Sequence, residues 1–256
     1  MSGNGQPVIT IHDLHFAYGR LPILEEVNLE VTAGDALCVV GPNGGGKTTL
    51  LKLILGLLEP TGGAIQVLGK KPAEVRLQLG YVPQYAHYDP LFPVTVLDVV
   101  LMGRLGRRRS GFYNRDDRRA AARALALMGL EELAGRLFAE ISGGQRQRTL
   151  IARALACEAE ILLLDEPTAN IDMEAENQLF KLLRQLNRKM TVLVVTHDVG
   201  FASSFFERIV CVNRRVSTHP VAALDGHLIR EMYGTDVTLI RHDHDCASHD
   251  QRCGGV

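Results

Sequence analysis

A glycine-rich stretch at residues 41–49 has the residue types and spacing to hold a phosphate group. Its sequence, Gly-Pro-Asn-Gly-Gly-Gly-Lys-Thr-Thr, fits the pattern Gly-x-x-x-x-Gly-Lys-Thr and follows the apolar residues 36–40, which predicts a strand, a loop and a helix in that order. In such a loop the backbone N–H groups face a triphosphate, the helix N-terminus adds positive potential, and Lys47 lies near the β and γ phosphates. The Thr48 hydroxyl is placed to bind Mg²⁺. We name residues 41–49 the phosphate loop and predict nucleotide contacts from Gly41, Pro42, Asn43, Gly44, Gly45, Gly46, Lys47, Thr48 and Thr49.

Two adjacent carboxylates, Asp165 and Glu166, follow the apolar residues 161–164. Beside a Mg-triphosphate, one carboxylate can hold the metal through its water shell while its neighbour polarises the attacking water. An acidic pair at a strand end is, by itself, typical of a solvated turn. The phosphate loop upstream makes the chemical interpretation the more specific one.

A second glycine-rich element, residues 141–148, also begins a predicted helix. Its sequence is Ile-Ser-Gly-Gly-Gln-Arg-Gln-Arg, and a serine hydroxyl with glycine N–H groups at a helix N-terminus makes an anion site. Two such sites far apart in one chain suggest that they close on one nucleotide from opposite sides. A single compact domain could not easily place both anion sites on opposite sides of the same nucleotide.

The elements that position these residues mix two kinds of β structure. Residues 8–16 and 27–31 alternate in polarity, with a one-residue slip after Ile11, which predicts half-buried antiparallel strands. Residues 64–68 and 80–82 are two further short strands. The runs 161–164 and 191–195 are apolar throughout and are typical of a parallel sheet covered by helices.

Helices are predicted between these strands. Residues 95–98 and 114–117 combine a capping side chain with an acidic residue three positions later, which predicts helix starts. The second of these helices runs to Met128, and another covers residues 172–187. Residues 85 to about 149 therefore form a predicted helical insert.

Composition excludes several classes of protein. The 256 residues are 46% hydrophobic and carry a formal net charge of −1, so we expect a large core and no nucleic-acid partner. No apolar run is long enough to cross a bilayer, and the polar start lacks a secretion signal, so we expect a cytosolic protein that only a partner would hold at a membrane. Cys38, Cys157 and Cys211 lie in apolar segments and are predicted to be reduced core residues.

Seven arginines lie between Arg104 and Arg119. Such a run is typical of a solvated face, which we expect here. A surface near lipid headgroups or a partner is the alternative.

Taken together, these motifs resemble the ATP-binding subunit of ATP-binding cassette (ABC) transporters over residues 8 to about 215. Residues 41–49 resemble the family's Walker A motif, residues 161–166 its Walker B, and residues 141–145 its Leu-Ser-Gly-Gly-Gln signature with isoleucine for leucine. The resemblance implies an α/β fold: a P-loop NTPase (RecA-like) core with a mostly parallel sheet, an N-terminal antiparallel β subdomain and an inserted α-helical subdomain.

The implied domain organisation is a single ABC ATPase domain over residues 1–235 with a tail. Residues 1–84 and 150–235 form the nucleotide-binding core, and residues 85–149 form the helical subdomain with the signature. Residues 236–256 are a polar tail.

The resemblance also implies roles for individual residues. Catalysis is assigned to Lys47, Gln84, Glu166 and the switch histidine His197, and Mg²⁺ to Thr48, Gln84 and Asp165. Tyr18 would stack on adenine, and Asp172 would also contact the site. From a second copy, the nucleotide would be capped by Ser142, Gly143, Gly144 and Gln145.

This chain departs from the family pattern at two places. Gly45 stands where many members have serine, and residues 169–172 read Ala-Asn-Ile-Asp where Ala-Gly-Leu-Asp is more usual. Neither change touches the charges that catalysis needs.

The function implied is ATP hydrolysis that powers transport at the cytoplasmic face of the membrane. The implied partners are a second cassette, a membrane permease that binds near Gln84, and an extracytoplasmic metal-binding protein. The sequences of residues 41–49, 168–172 and 210–215 resemble those of the zinc and manganese uptake branch of the family.

Other importers and other ABC proteins remain as alternatives. The solute could be a siderophore, haem or another small molecule. A non-transport ABC ATPase is disfavoured because chromosome-maintenance members insert a long coiled coil and translation-associated members usually carry two cassettes. A non-hydrolysing regulatory module is disfavoured by the Asp165–Glu166 pair.

The tail holds five side chains that zinc favours: His242, His244, Cys246, His249 and Cys253. A short polar end with two glycines is, however, typical of disorder. We therefore favour a disordered tail without metal over a zinc-binding one.

Overall fold

An antiparallel sheet forms the first part of the fold. The structure, a computed structural model, describes residues 5–84, 88–107, 112–168, 173–196 and 206–223. Strands β1 (Pro7–Tyr18), β2 (Leu21–Thr32) and β4 (Gly62–Val67) pair in the order β2-β1-β4. The predicted slip in β1 is confirmed: its register with β2 shifts between Ile11 and Leu14, where Asp13 has a φ of 44°. The slip keeps both flanking apolar side chains on the buried face.

A mixed six-stranded sheet forms the second part. Its strands are β3 (Ala36–Val40), β5 (Leu79–Val82), β6 (Ile161–Asp165), β7 (Thr191–Val195), β8 (Arg208–Asn213) and β9 (Arg215–Pro220). The order is β5-β6-β7-β3-β8-β9, and every neighbouring pair is parallel except β8 with β9. Every residue of β6 and of β7 is buried, which confirms the expectation of a sheet covered on both faces.

The two faces of this sheet belong to two separate cores. Ile161 and Leu163 of β6 pack with α1 (Lys47–Ile54) and the antiparallel sheet. Leu162 and Leu164 pack with the helices on the other face. Strand β6 therefore joins both halves of the hydrophobic interior.

The helices on that other face are α2 (Val96–Leu101), α3 (Arg115–Leu127), α4 (Gly143–Ala156) and α5 (Met173–Asn187). The predicted capping boxes are present, with Thr95 and Asp98 at α2 and Asn114 and Asp117 at α3. Helices α2, α3 and α4 pack on one another. No helix among the described residues is both long and apolar enough to cross a bilayer.

One arginine of the run at 104–119 departs from the solvated face that we expected. Arg104 is buried, and its guanidinium donates to Asp117 Oδ1 at 3.0 Å, to Glu158 Oε2 at 2.9 Å and to the Ala156 carbonyl at 3.0 Å. Because a buried guanidinium must be neutralised and hydrogen-bonded, this residue links the start of α3 to the end of α4. Arg115, Arg118 and Arg119 are exposed, as expected.

Candidate nucleotide-binding site

The predicted site residues meet at one edge of the parallel sheet. Strands β3, β5 and β6 are parallel within the sheet, so their carboxyl ends lie at the same edge. β3 leads into the phosphate loop, β5 into Gln84, and β6 into Glu166. These elements and Ile23 of β2 line one cleft, which includes Gly41, Pro42, Asn43, Gly44, Gly46, Lys47, Thr48 and Thr49.

Glycines at two positions of the phosphate loop are required by geometry. Gly46 has a φ of 106°, and a Cβ there would lie 2.7 Å from Leu24 Cδ2. Gly41 has a φ of 149°, and a Cβ there would lie 2.0 Å from the Val212 carbonyl oxygen. The loop therefore turns tightly into α1, whose N-terminus has no side-chain cap. Uncapped N–H groups at a helix start are suited to an anion.

Lys47 is held inside the loop. Its Nζ donates to the carbonyl oxygens of Gly41 at 2.9 Å and Pro42 at 3.1 Å. Burial lowers the pKa of Lys47, while the negative charges of Glu166 and Asp165 act in the opposite direction. The cation thus lies between the loop and the two carboxylates.

Asp165 fits a magnesium site. Its Oδ2 accepts a hydrogen bond of 3.0 Å from the Thr48 hydroxyl, and its buried Oδ1 has no hydrogen-bond partner among the described residues. Burial raises the pKa of Asp165, the Thr48 hydrogen bond lowers it, Glu166 raises it, and Lys47 lowers it. A buried carboxylate oxygen beside a hydroxyl is a ligand set that Mg²⁺ prefers.

The backbone conformation of Glu166 and two hydrogen bonds position its carboxylate. Its φ is 47°, its N–H donates to the Val195 carbonyl at 2.9 Å, and its Oε2 accepts from Gln84 Nε2 at 2.9 Å. A non-glycine residue in the left-handed region is uncommon and occurs often at functional sites. The contact between Gln84 and Glu166 joins residues that follow β5 and end β6, and no motif or spacing predicted this hydrogen bond.

The signature residues lie away from this cleft. Ser142 caps α4: its Oγ accepts from Gln145 N–H at 3.3 Å, and Gln145 Oε1 accepts from Ser142 N–H at 2.9 Å. Ser142 and Gly143 are exposed. The capping box satisfies the serine and glutamine locally and leaves the glycine end of α4 facing outward.

Tyr18 and Gly45, like the buried Asp165, are predicted contacts that lie outside the cleft lining. Tyr18 ends β1, is 48% exposed, and packs edge-on against Phe16 with ring centres 4.9 Å apart. Gly45 belongs to the loop but faces the β8–β9 turn, because a Cβ on it would lie 2.8 Å from the Val212 carbonyl oxygen. Ile23, which does line the cleft, was missed because an isoleucine in a β-hairpin carries no chemical signal.

Several predicted residues lie outside the described part of the chain. These are Asp172, His197 and the tail residues His242, His244, Cys246, His249 and Cys253. Within the described ranges, no group of three or more histidine, cysteine or acidic side chains could hold a metal ion. The tail hypothesis stays a prediction.

Comparison with known proteins yields a family and relatives. The family model described as ABC transporter matches residues 24–169. The manganese transport system ATP-binding protein MntB of Bacillus subtilis is 40% identical over 241 residues, which cover 91% of this chain and 95% of MntB. The zinc transport system ATP-binding protein TroB of Treponema pallidum is 36% identical over 252 residues, covering 95% and 94%.

A solved structure has the same fold. It is the dimeric post-hydrolysis state of the ATP-binding cassette MJ0796 bound to ADP and Pi, with 30% identity and a TM-score of 0.72. The match covers 84% of this chain and all of that one.

Proposed function

The chain belongs to the ABC transporter family, and on that premise we propose that it is the ATP-hydrolysing subunit of an importer for a divalent metal ion, zinc or manganese. The observation that carries the proposal is that Lys47, Thr48 and Glu166 line one cleft and that Asp165 accepts a hydrogen bond from Thr48. The names of MntB and TroB support the metal.

In the proposed reaction, the phosphate loop binds the β and γ phosphates and Lys47 neutralises part of their charge. Thr48, Gln84 and Asp165 would hold Mg²⁺, which supplies charge neutralisation at the phosphates when bound. Glu166 polarises the attacking water and accepts its proton. We assign stabilisation of the developing charge to His197, and a nucleotide contact to Asp172.

The proposed working form is a head-to-tail homodimer. ATP on the phosphate loop of one copy is capped by Ser142, Gly143 and Gly144 of the other, and Tyr18 stacks on adenine. The exposed glycine end of α4 and the dimeric MJ0796 structure support this arrangement. Hydrolysis removes the γ phosphate that bridges the copies, and the dimer opens.

The proposed partners are permease subunits that bind near Gln84 at the cytoplasmic face of the membrane, and an extracytoplasmic metal-binding protein. We also propose that residues 85–149 form the helical subdomain between two parts of the core, although α4 continues past residue 149 to Ala156. Opening of the dimer would move the permease subunits through the segment near Gln84.

The chemical part of the proposal is tested with Glu166→Gln. The variant should bind ATP and form a stable dimer in ATP, while its phosphate release falls at least a hundredfold, since a missing general base costs about 10²–10⁴. Lys47→Ala is the matched control for loss of binding, because this variant should bind ATP more weakly, whereas Glu166→Gln should not. Unchanged turnover in Glu166→Gln would refute the assignment of the base.

The metal is tested separately. The genes that adjoin this one are first searched for a multi-span permease. The complex of such a permease with this chain is then placed in vesicles, and ATP-driven uptake of radioactive Zn²⁺ and Mn²⁺ is measured. ATP-dependent uptake of neither metal, in vesicles that hydrolyse ATP, would exclude the metal and favour another small solute.

A further inference from the structure

The turn between β8 and β9 lies directly against the phosphate loop. We name residues 212–215 the hairpin tip. The carbonyl oxygen of Val212 would lie 2.0 Å from a Cβ on Gly41 and 2.8 Å from a Cβ on Gly45. Real Cβ atoms do not approach an oxygen so closely, so the backbone of the tip occupies the space that a side chain on either glycine would need.

Within the tip, Arg214 uses both of its backbone polar groups on different elements. Its N–H donates to the Gly45 carbonyl at 3.1 Å, and its carbonyl accepts from the Glu25 N–H at 2.9 Å. One residue therefore joins the phosphate loop to strand β2. Two residues before Glu25, Ile23 lines the cleft.

These two hydrogen bonds go with an unusual conformation of Arg214. Its φ is 58°, in the left-handed region, which is unfavourable for residues with a Cβ and is readily adopted by glycine. The neighbouring ion pair does little to hold the tip: Arg215 and Glu26 lie 3.0 Å apart, but their side chains are 70% and 57% exposed. The link is thus made by the backbone of Arg214.

We propose that Arg214 is a positioning residue of the nucleotide site and acts through its backbone. By holding the Gly45 carbonyl and β2 at once, it fixes the direction of the loop N–H groups relative to the cleft wall at Ile23. Its guanidinium takes no part. The inference rests on the proposed function only in that a nucleotide phosphate binds in the phosphate loop.

The test measures the dissociation constant for Mg-ADP by calorimetry, well below the thermal midpoint of each protein. Arg214→Val disfavours the left-handed conformation, and losing a hydrogen bond to the loop should raise the constant about threefold to tenfold. Arg214→Gly keeps that conformation and should stay within twofold of the unmodified protein. Arg215→Val makes the same change one residue later, in extended β9, and should also stay within twofold.

The outcomes separate positioning from a merely structural role. A merely structural role would lower the thermal midpoint of Arg214→Val while its Mg-ADP affinity stays unchanged, and that result overturns the inference. Equal weakening in Arg214→Gly and Arg214→Val also overturns it, because the guanidinium would then be the cause. If the unmodified protein fails to bind Mg-ADP, the proposed function fails instead.

A second variant keeps the inference testable if Arg214→Val does not fold. Gly45→Ala adds one methyl group at the contact with Val212, and Gly135→Ala adds one where a Cβ meets nothing within 4 Å. Gly45→Ala should weaken Mg-ADP binding and speed amide hydrogen exchange in residues 41–49, and Gly135→Ala should do neither. Unchanged affinity and exchange in Gly45→Ala would overturn the inference.

Discussion

Replacing Arg104 by methionine should destabilise the protein by about 3 kcal/mol. The Arg104 and Asp117 side chains are only 9% and 4% exposed, and their charged atoms lie 3.0 Å apart. Methionine preserves much of the volume but leaves the Asp117 carboxylate buried without the guanidinium, and breaking a buried pair costs about 3–5 kcal/mol. We take the low end because the Arg104 bond to Glu158 reaches a side chain that is 48% exposed and adds little.

The assay is the thermal unfolding midpoint. For a chain of this size, about 1 kcal/mol corresponds to about 2–4 °C, so Arg104→Met should unfold about 6–12 °C lower. The matched control is Arg119→Met, because Arg119 is 72% exposed and pairs with Asp116 only at 3.7 Å. It should shift the midpoint by less than about 2 °C.

A double variant tests the reason for the loss. Adding Asp117→Asn to Arg104→Met removes the buried charge, and the asparagine oxygen can still accept from the Asn114 N–H that caps α3. The midpoint should recover in part. Equal midpoints for Arg104→Met and Arg119→Met, or a further fall in the double variant, would refute the reasoning.

Three further predictions concern the cleft and the core. Burial raises the pKa of Asp165, so its ionised form destabilises the native state above the native pKa, and this penalty disappears as pH falls towards the unfolded value of 3.8. Asp165→Asn should therefore raise the nucleotide-free thermal midpoint at neutral pH and not in acid, and a lower midpoint at neutral pH would contradict this. Tyr18→Ala should weaken Mg-ADP binding at least about fivefold and Tyr18→Phe less than twofold, because stacking contributes about 1–3 kcal/mol; equal affinities for the two variants would exclude stacking. Burial raises the pKa of the Cys211 thiol to about 11, so mass spectrometry should find it unalkylated by iodoacetamide at pH 8 until urea unfolds the chain, whereas rapid labelling of the native protein would contradict its burial.

Local patterns predicted several elements of the fold and of the candidate site. The phosphate loop, the two capping boxes and the buried strands at 161–164 and 191–195 each depend on residues within a few positions of one another. These patterns are reliable because local backbone geometry determines a helix cap, and the spacing of apolar residues determines which positions of a strand are buried. The slip in β1 was visible for the same reason.

Contacts between distant segments could not be predicted. Arg104 was expected in solvent because its neighbours are arginines, and its partner Glu158 is 54 residues away in sequence. Two further hydrogen bonds likewise join distant segments: Gln84 donates to Glu166, and the Arg214 N–H donates to the Gly45 carbonyl. Only the order of strands in the sheet brings these segments together. No periodicity in one sequence records which strand ends become neighbours.

Because β6 is apolar on both faces, hydrophobic burial alone does not determine its register with the neighbouring strands. A one-residue displacement would still bury every leucine, yet it would carry the Asp165 carboxylate about 3.3 Å along the strand and away from Thr48. Hydrogen bonds at both ends of the strand set the register instead: the Glu160 N–H donates to the Gln78 carbonyl, and the Glu166 N–H donates to the Val195 carbonyl. Leucine, isoleucine and valine should thus exchange freely inside this strand during evolution, whereas insertions or deletions of a single codon there should be eliminated.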